Sequence, residues 1–366
     1  MNKTLVAVIV IVLLLIGGWV IYQNQGQATP ADAQVIKIGA TLPLSGNVAF
    51  LGEAAKKSVE LALSELGQTK YKYEVVFEDD KFDPATGASA INKLISIDKV
   101  DAVLSFGSPV GNVVGPIAEK SGVIHFGVAS DPVVADGKFN FNHWTPPYEE
   151  SKLMVAELLK RGIKTAVMIE QNQPGVLAVT KVFKQDLSKS GITLAASEVF
   201  NTGTRDFRPF ISNVKNTKAD IYIVEATSPE LEVLVKQIRD AGIKTPITSI
   251  ESFEFSDQPQ LFEGMWYVNG ADQTKEFIDK YRNKYNSDPL LASGNGYDIA
   301  KLIVYAFEKA GNGKTKPSKE SVINELNKVS NFDGAMGKLT IDADGLVVTK
   351  AVVRMIKNGE RVTINE

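Results

Sequence analysis

An α/β fold of two doubly wound lobes is what this sequence predicts, and three observations carry the prediction. Apolar runs of strand length alternate with amphipathic helical runs from Val35 onward. The alternation restarts after Thr145-Pro146-Pro147, where two prolines break regular structure. The chain has 366 residues, 44% hydrophobic and 23% charged, enough for about two lobes of ~100–200 residues each. Alternating βα units imply parallel sheets covered by helices on both faces.

Residues 1–22 stand apart from the body. Lys3 precedes Leu5 to Tyr22, a run without one charge that closes on Trp19 and Tyr22. Its length sits between a secretory apolar region and a spanning helix, so it reads as an export signal or a membrane anchor. Terminal aromatics suit an anchor, whereas Ala31-Asp32-Ala33 fits a cleavage site. Residues 23–34, with Gly26, Pro30 and four Gln, read as a tether. Either reading places the body outside the cytoplasm, and a chain with no cysteine has no site for lipoprotein acylation.

Beyond the tether the periodicity predicts each element in turn. Val35 to Leu42 is a strand, Gly52 to Leu66 a helix stopped by Gly67, and Tyr71 to Phe77 a strand. Helix Pro84 to Ile95, strand Ala102 to Ser105, helix Asn112 to Lys120 and strand Val123 to Phe126 follow. In the second lobe, strands begin at Thr165 and Asp220, with helices Gly175 to Ser190 and Pro229 to Ala241 after them. Helices Lys275 to Tyr285 and Tyr297 to Ala310 precede a β segment, GKLTIDADGLVVTKAVVRMI, that turns at Asp344-Gly345.

Net charge is −3 with basic residues scattered among acidic ones, which leaves no footprint for nucleic acid. The absence of cysteine excludes disulfides, thiolate metal sites and a Cys nucleophile. Ligands of open α/β sheets sit beyond the carboxyl ends of the strands, and four loops there are rich in small and hydroxyl residues. They are PLSGN with Ser45, SFGSPVGN with Ser108, FGVASDP with Val128 and Ser130, and EATSPE with Thr227. Any one of them reads as helix capping; four in succession point to a shared polar cleft.

Catalytic patterns fail on spacing. Asp79 and Asp80 are neighbours on extended chain and point to opposite faces. GNGKT, from Gly311, lacks the first glycine of a phosphate loop, since Glu308 stands there. Ser108 lies in GSPVG, which is not the nucleophile elbow. His125 and His143 lack metal-ligand spacing. The sequence therefore predicts no enzyme, no metal and no cofactor.

The order of segments IKIGATLPLSG, FEDDKFDP, GSPVGNVVGPIAEKSGVIHFGVAS, RDFRPFISNVKNTKADIYIV, KQIRDAGIKTPITSIES, GYDIAKLIVYAFEKAG and MGKLTIDADG resembles the periplasmic solute-binding proteins of the leucine/isoleucine/valine-binding type. The resemblance spans Val35 to about Gly359. It implies two Rossmann-like lobes, 35–145 with 272–346 and 146–271 with 347–366, joined by crossovers near Thr145, Ala271 and Val347 and closing on one small ligand. Carried over by position, the grip on an amino acid's charged ends falls to Ser108, the backbone of Val128, Ser130 and Glu251, the last meeting the ammonium. Thr227 stands where the family often has an aromatic. Leu51 and Pro174 lie near positions of pocket tyrosines, and Trp144 replaces a common arginine. Trp144 and Tyr148 are candidates for aromatic pocket surface. The function this implies is extracytoplasmic binding of a small amino-acid-like solute by lobe closure, with delivery to an ABC permease. The alternative is a membrane-anchored sensor with the same fold.

Overall fold

The computed structural model describes residues 34–364. Residues 1–33, with the apolar run and its anchor or signal reading, lie outside them. No helix among the described residues is long and apolar enough to cross a membrane.

The first sheet is built from β1 (Val35–Leu42), β2 (Lys72–Asp79), β3 (Ala102–Phe106), β4 (Ile124–Val128) and β5 (Asn140–Asn142). They run parallel in the order β2-β1-β3-β4-β5. Side-chain period two decides its faces. In β3, Ala102, Leu104 and Phe106 join the core under α1 (Ala49–Ser64), while Val103 joins the core under α2 (Pro84–Lys93) and α3 (Ser108–Ser121).

The second sheet holds β6 (Thr165–Asn172), β7 (Thr193–Asn201), β8 (Ile221–Glu225) and β9 (Ile247–Thr248), parallel in the order β7-β6-β8-β9. Helices α4 (Pro147–Lys160) and α5 (Pro174–Ser190) pack on one another over one face. Helices α6 (Arg208–Val214) and α7 (Glu230–Asp240) lie over the other, where Tyr222 and Val224 meet them. A bridge from Ile250 to Val268 joins β10 (Trp266–Gly270) to the β9 edge. Helices α8 (Lys275–Tyr285), α9 (Ser293–Ala310) and α10 (Lys319–Leu326) return to the first sheet, followed by the hairpin β11 (Phe332–Gly334) and β12 (Gly337–Leu339). The last two strands are β13 (Ala351–Lys357) and β14 (Glu360–Thr363); β13 lies between β10 and β14, in the order β10-β13-β14, and runs antiparallel to both.

Three helices begin about a turn earlier than their periodicity suggests, α1 among them at Ala49 rather than Gly52. Helix α3 starts at Ser108 rather than Asn112, because Pro109 carries a helix-ready φ in the first turn and Gly111 donates back to Gly107 at 2.8 Å. Helix α9 starts at Ser293 rather than Tyr297. Its Gly296 lets α1 approach so closely that a β-carbon would lie 3.0 Å from the Ala55 carbonyl. The C-terminal β segment is not one hairpin. The turn exists, with Asp342 accepting from Asp344 and Leu346 and Ile341 bridging Val347, but the strands on either side of it, β12 and β13, belong to different sheets.

Three segments pass side by side between the sheets. Thr145, after β5, and Thr349, before β13, bond hydroxyl to hydroxyl at 2.7 Å, and Gly270, ending β10, sits against the same Thr145 hydroxyl with no room for a side chain.

Candidate functional site

A narrow cleft lies between the carboxyl ends of β3 and β4 and those of β6, β8 and β9. Ser108, Val128, Ser130 and Trp144 line it from the first sheet, and Thr227 and Glu251 from the second. All six belong to the set read from the sequence.

Their bonding is specific. Ser108 opens α3, and its hydroxyl oxygen accepts from the Asp131 N–H at 3.0 Å. The Val128 carbonyl accepts from Gly107 at 2.9 Å, which leaves one lone pair for another donor. Thr227 points inward: its N–H and hydroxyl both donate to Gln171 Oε1, at 2.8 and 3.0 Å.

Glu251 is the centre of the cleft. Ser130 donates to its Oε2 at 2.5 Å and the Trp144 indole donates to its Oε1, so both partners come from the opposite sheet. Its backbone is held at φ +63°, with Ser252 N bonding back to the Ile250 carbonyl at 2.7 Å. That is a γ-turn of the strained hand, a conformation that persists where surrounding structure imposes it. Glu225 imposes it here. One of its oxygens accepts from Ile250 N at 2.6 Å and the other from the Ser252 hydroxyl at 2.8 Å, splinting the turn on both sides of Glu251.

Glu150, in the first turn of α4, completes a buried acidic group. Neither of its oxygens finds an N–H or hydroxyl donor among the described residues, and the group it faces is the Glu251 carboxyl. Burial, then the Glu251 charge, pushes the Glu150 carboxyl well above the ordinary range. Burial also raises Glu225 and Glu251. Two adjacent buried carboxyls bond one another only by sharing a proton, and these shifts favour that state. Folding therefore takes up a proton at Glu150 at pH values between the unfolded carboxyl value of about 4.3 and its raised folded value. Its contribution falls as pH rises from there. Glu150→Gln, which keeps the shape without the titration, is expected to raise the melting temperature by several degrees at pH 8 and little at pH 5. Equal shifts at both pH values in thermal melts would refute the proton uptake.

Four residues read as pocket lining lie elsewhere. Ser45 donates to Asp79 Oδ2 at 2.6 Å, closing its own loop. Leu51 is buried in α1 and faces a wider groove on the far side of Trp144. Tyr148 is 47% exposed on α4. Pro174 starts α5 from an exposed position, and its neighbours Gln173 and Gly175 take the cleft instead. Period and position gave no sign of Glu150, and Glu225, which opens the EATSPE loop, reads in sequence as part of a cleft wall but not as a buried carboxyl. A carboxylate ending the wholly apolar run of β8 was the only available signal.

The histidines are structural. His125 is buried between the Ser105 hydroxyl at 2.8 Å and Asn140 Oδ1 at 3.1 Å, and burial brings its pKa down to about 4. His143 meets Asp298 at 3.1 Å, tying β5 to α9. No group of three or more His, Cys, Asp or Glu among the described residues could hold a metal ion.

Two lobes on three strands, with a lined cleft at the strand ends, coincide with a family model for periplasmic binding proteins that matches residues 35–361. The chain belongs to the periplasmic binding protein family. It is similar to Leu/Ile/Val-binding protein homolog 7 of Brucella abortus, 23% identical over 352 residues that cover 87% of this chain and 83% of the relative. Its fold matches the branched-chain amino acid transporter substrate-binding protein LivJ of Streptococcus pneumoniae in complex with isoleucine, at TM-score 0.79 and 25% identity, covering 90% of this chain and 100% of that one. It also matches an ABC transporter solute-binding protein of R. palustris in complex with benzoate, at TM-score 0.80 and 18% identity over 90% and 96% of the two chains. This periplasmic binding protein is thus a solute-binding protein and not an enzyme.

Proposed function

We propose that this protein captures an amino-acid-like zwitterion outside the cytoplasm and delivers it to an ABC permease. Capture occurs by closure of lobe 35–145 with 272–346 onto lobe 146–271 with 347–366. The observation that carries the reading is Glu251: a buried carboxylate on a strained turn, reached across the cleft by Ser130 and Trp144. Such a group suits a ligand ammonium, because charge-assisted hydrogen bonds in a dry site are the strong ones. The other end of the cleft has the opposite polarity. There the N-termini of α3 and α5 meet, with Ser108 and Gly175 in contact range, and helix N-termini favour a carboxylate.

A thermal-shift screen of amino acids, amides and free carboxylates, confirmed by calorimetry, tests the ligand class. A ligand at a hundred times its Kd stabilises the folded protein by about 2.7 kcal/mol. Small-angle scattering tests the mechanism, with a decrease in radius on adding the confirmed ligand as the expected result. Amino acids that leave the melting temperature unmoved while free carboxylates raise it would overturn the zwitterion reading.

A further inference from the structure

The aspartate pair that ends β2 has no part in the site so far, yet it builds an unusual turn. Asp79 Oδ1 accepts from Lys81 N at 3.0 Å and Asp80 Oδ1 accepts from Phe82 N at 2.8 Å. Between these bonds Lys81 and Phe82 both take the left-handed conformation, with φ of +55° and +59°. Non-glycine residues visit that region as single residues, and a bulky aromatic there is an outlier. Asp80 is fully buried, and one of its oxygens has no partner among the described residues, so the turn is held at a cost.

What the turn achieves is the placement of one ring. Phe82 is only partly buried, so core packing alone does not account for it. Its ring leans on Phe106, with centroids 6.0 Å apart, and lies directly over Gly107, where a β-carbon could not fit beneath it. Gly107 itself needs its φ of +82° and immediately precedes Ser108. Phe82 thereby lines the cleft beside Ser108 and Val128. Strain concentrated on a residue that faces a binding cleft points from the backbone to function.

We infer that Phe82 determines ligand specificity: its ring is the wall that limits the size of the ligand group next to the Ser108 end of the cleft. The class selected is a compact carboxylate whose neighbouring substituent is small or branched and apolar, able to pack on an aromatic face. A longer substituent meets the ring. The class rests on the carboxylate end of the proposed function, whereas the role of Phe82 as a wall does not require the ligand to carry an amine.

The experiment is calorimetric titration of the full chain, Phe82→Ala and Phe82→Leu with two size series. One runs L-alanine, L-valine, L-leucine, L-phenylalanine; the other runs acetate, isobutyrate, benzoate, phenylpropionate. Within the series that binds, Phe82→Ala is expected to improve the largest member relative to the smallest by tenfold or more, with Phe82→Leu between. A uniform loss of affinity with the order of sizes preserved in both variants would overturn the inference. Binding confined to the amine-free series would overturn the zwitterion reading alone, since the order of sizes there still decides Phe82. Phe82→Leu retains most of the apolar volume and so reports on the wall even if the alanine variant fails to fold.

Discussion

Glu251→Gln is expected to lower the affinity for an ammonium-bearing ligand ten- to a hundredfold or more. A hydrogen bond to a charged group contributes roughly 1.5–3 kcal/mol, and each 1.4 kcal/mol is about tenfold in Kd. The amide keeps the size of the side chain and loses the charge. The empty protein should be as stable as the wild type at neutral pH, or more so. The substitution removes a buried charge that neighbours Glu150, whose own carboxyl is pushed upward by that charge after burial. Against this gain, one of the two donors, Ser130 or Trp144, loses its acceptor, which moderates the effect. Calorimetric titration of both proteins with the screened ligand, beside thermal melts of both empty proteins, gives the two quantities separately. Unchanged affinity would remove Glu251 from the site and leave an uncharged or anionic solute as the better class.

Acidification should weaken the same interaction. Burial raises the Glu251 carboxyl above its ordinary range, so it begins to protonate at a higher pH than an exposed carboxylate, and the neutral acid attracts an ammonium far less.

The alternation of β1, β3, β6 and β8 was legible because each is buried on both faces and reads as an apolar run between helical patterns. Strand β7 was not. It is an edge strand whose residues alternate between exposed and half-buried, and Ala195 and Ala196 blur its period. The first turns of α3 and α9 were missed for a different reason. Glycine and proline there serve close approach and helix entry, yet in sequence they punctuate loops.

In the site, the loops of Ser108 and Ser130 were legible by position, since loops after strands must line the cleft of an open sheet, whereas Trp144 and Glu251 came from the family resemblance. Glu150 and Glu225 were hidden because a glutamate on a helix or at a strand end is ordinarily solvated. Only the packing of α4 and the turn at Glu251 makes these two buried. Ser45 shows the converse. A polar Ser-Gly loop after a strand looked like a cleft wall, but Asp79 on the neighbouring strand consumes its donors at Leu44, Ser45 N and the Ser45 hydroxyl.

Closure itself has a single-residue test at Gly175, the second residue of α5. A β-carbon there would lie 2.7 Å from the Ser108 hydroxyl of the opposite lobe and 3.1 Å from Gln173 Oε1. Ser108 cannot swing away freely, because its hydroxyl oxygen holds the Asp131 N–H. Gly175 does not have a positive φ, so a side chain is allowed by its own backbone and replaces the most flexible residue in a helix. Gly175→Val should therefore leave each lobe folded while wedging the two apart. Overpacking a fitted contact costs about 1–3 kcal/mol. Charged to the closed state alone, that lowers the competent population, and with it the apparent affinity, by roughly five- to a hundredfold. Gly175→Ala, with one carbon rather than three, should fall between. The melting temperature of the empty protein should hold or rise slightly, and the compaction on adding ligand should shrink in the order wild type, Ala, Val. If both variants bind and compact as the wild type does, the α3 and α5 N-termini do not meet in the bound state, and the ligand's carboxylate must be held elsewhere in the cleft.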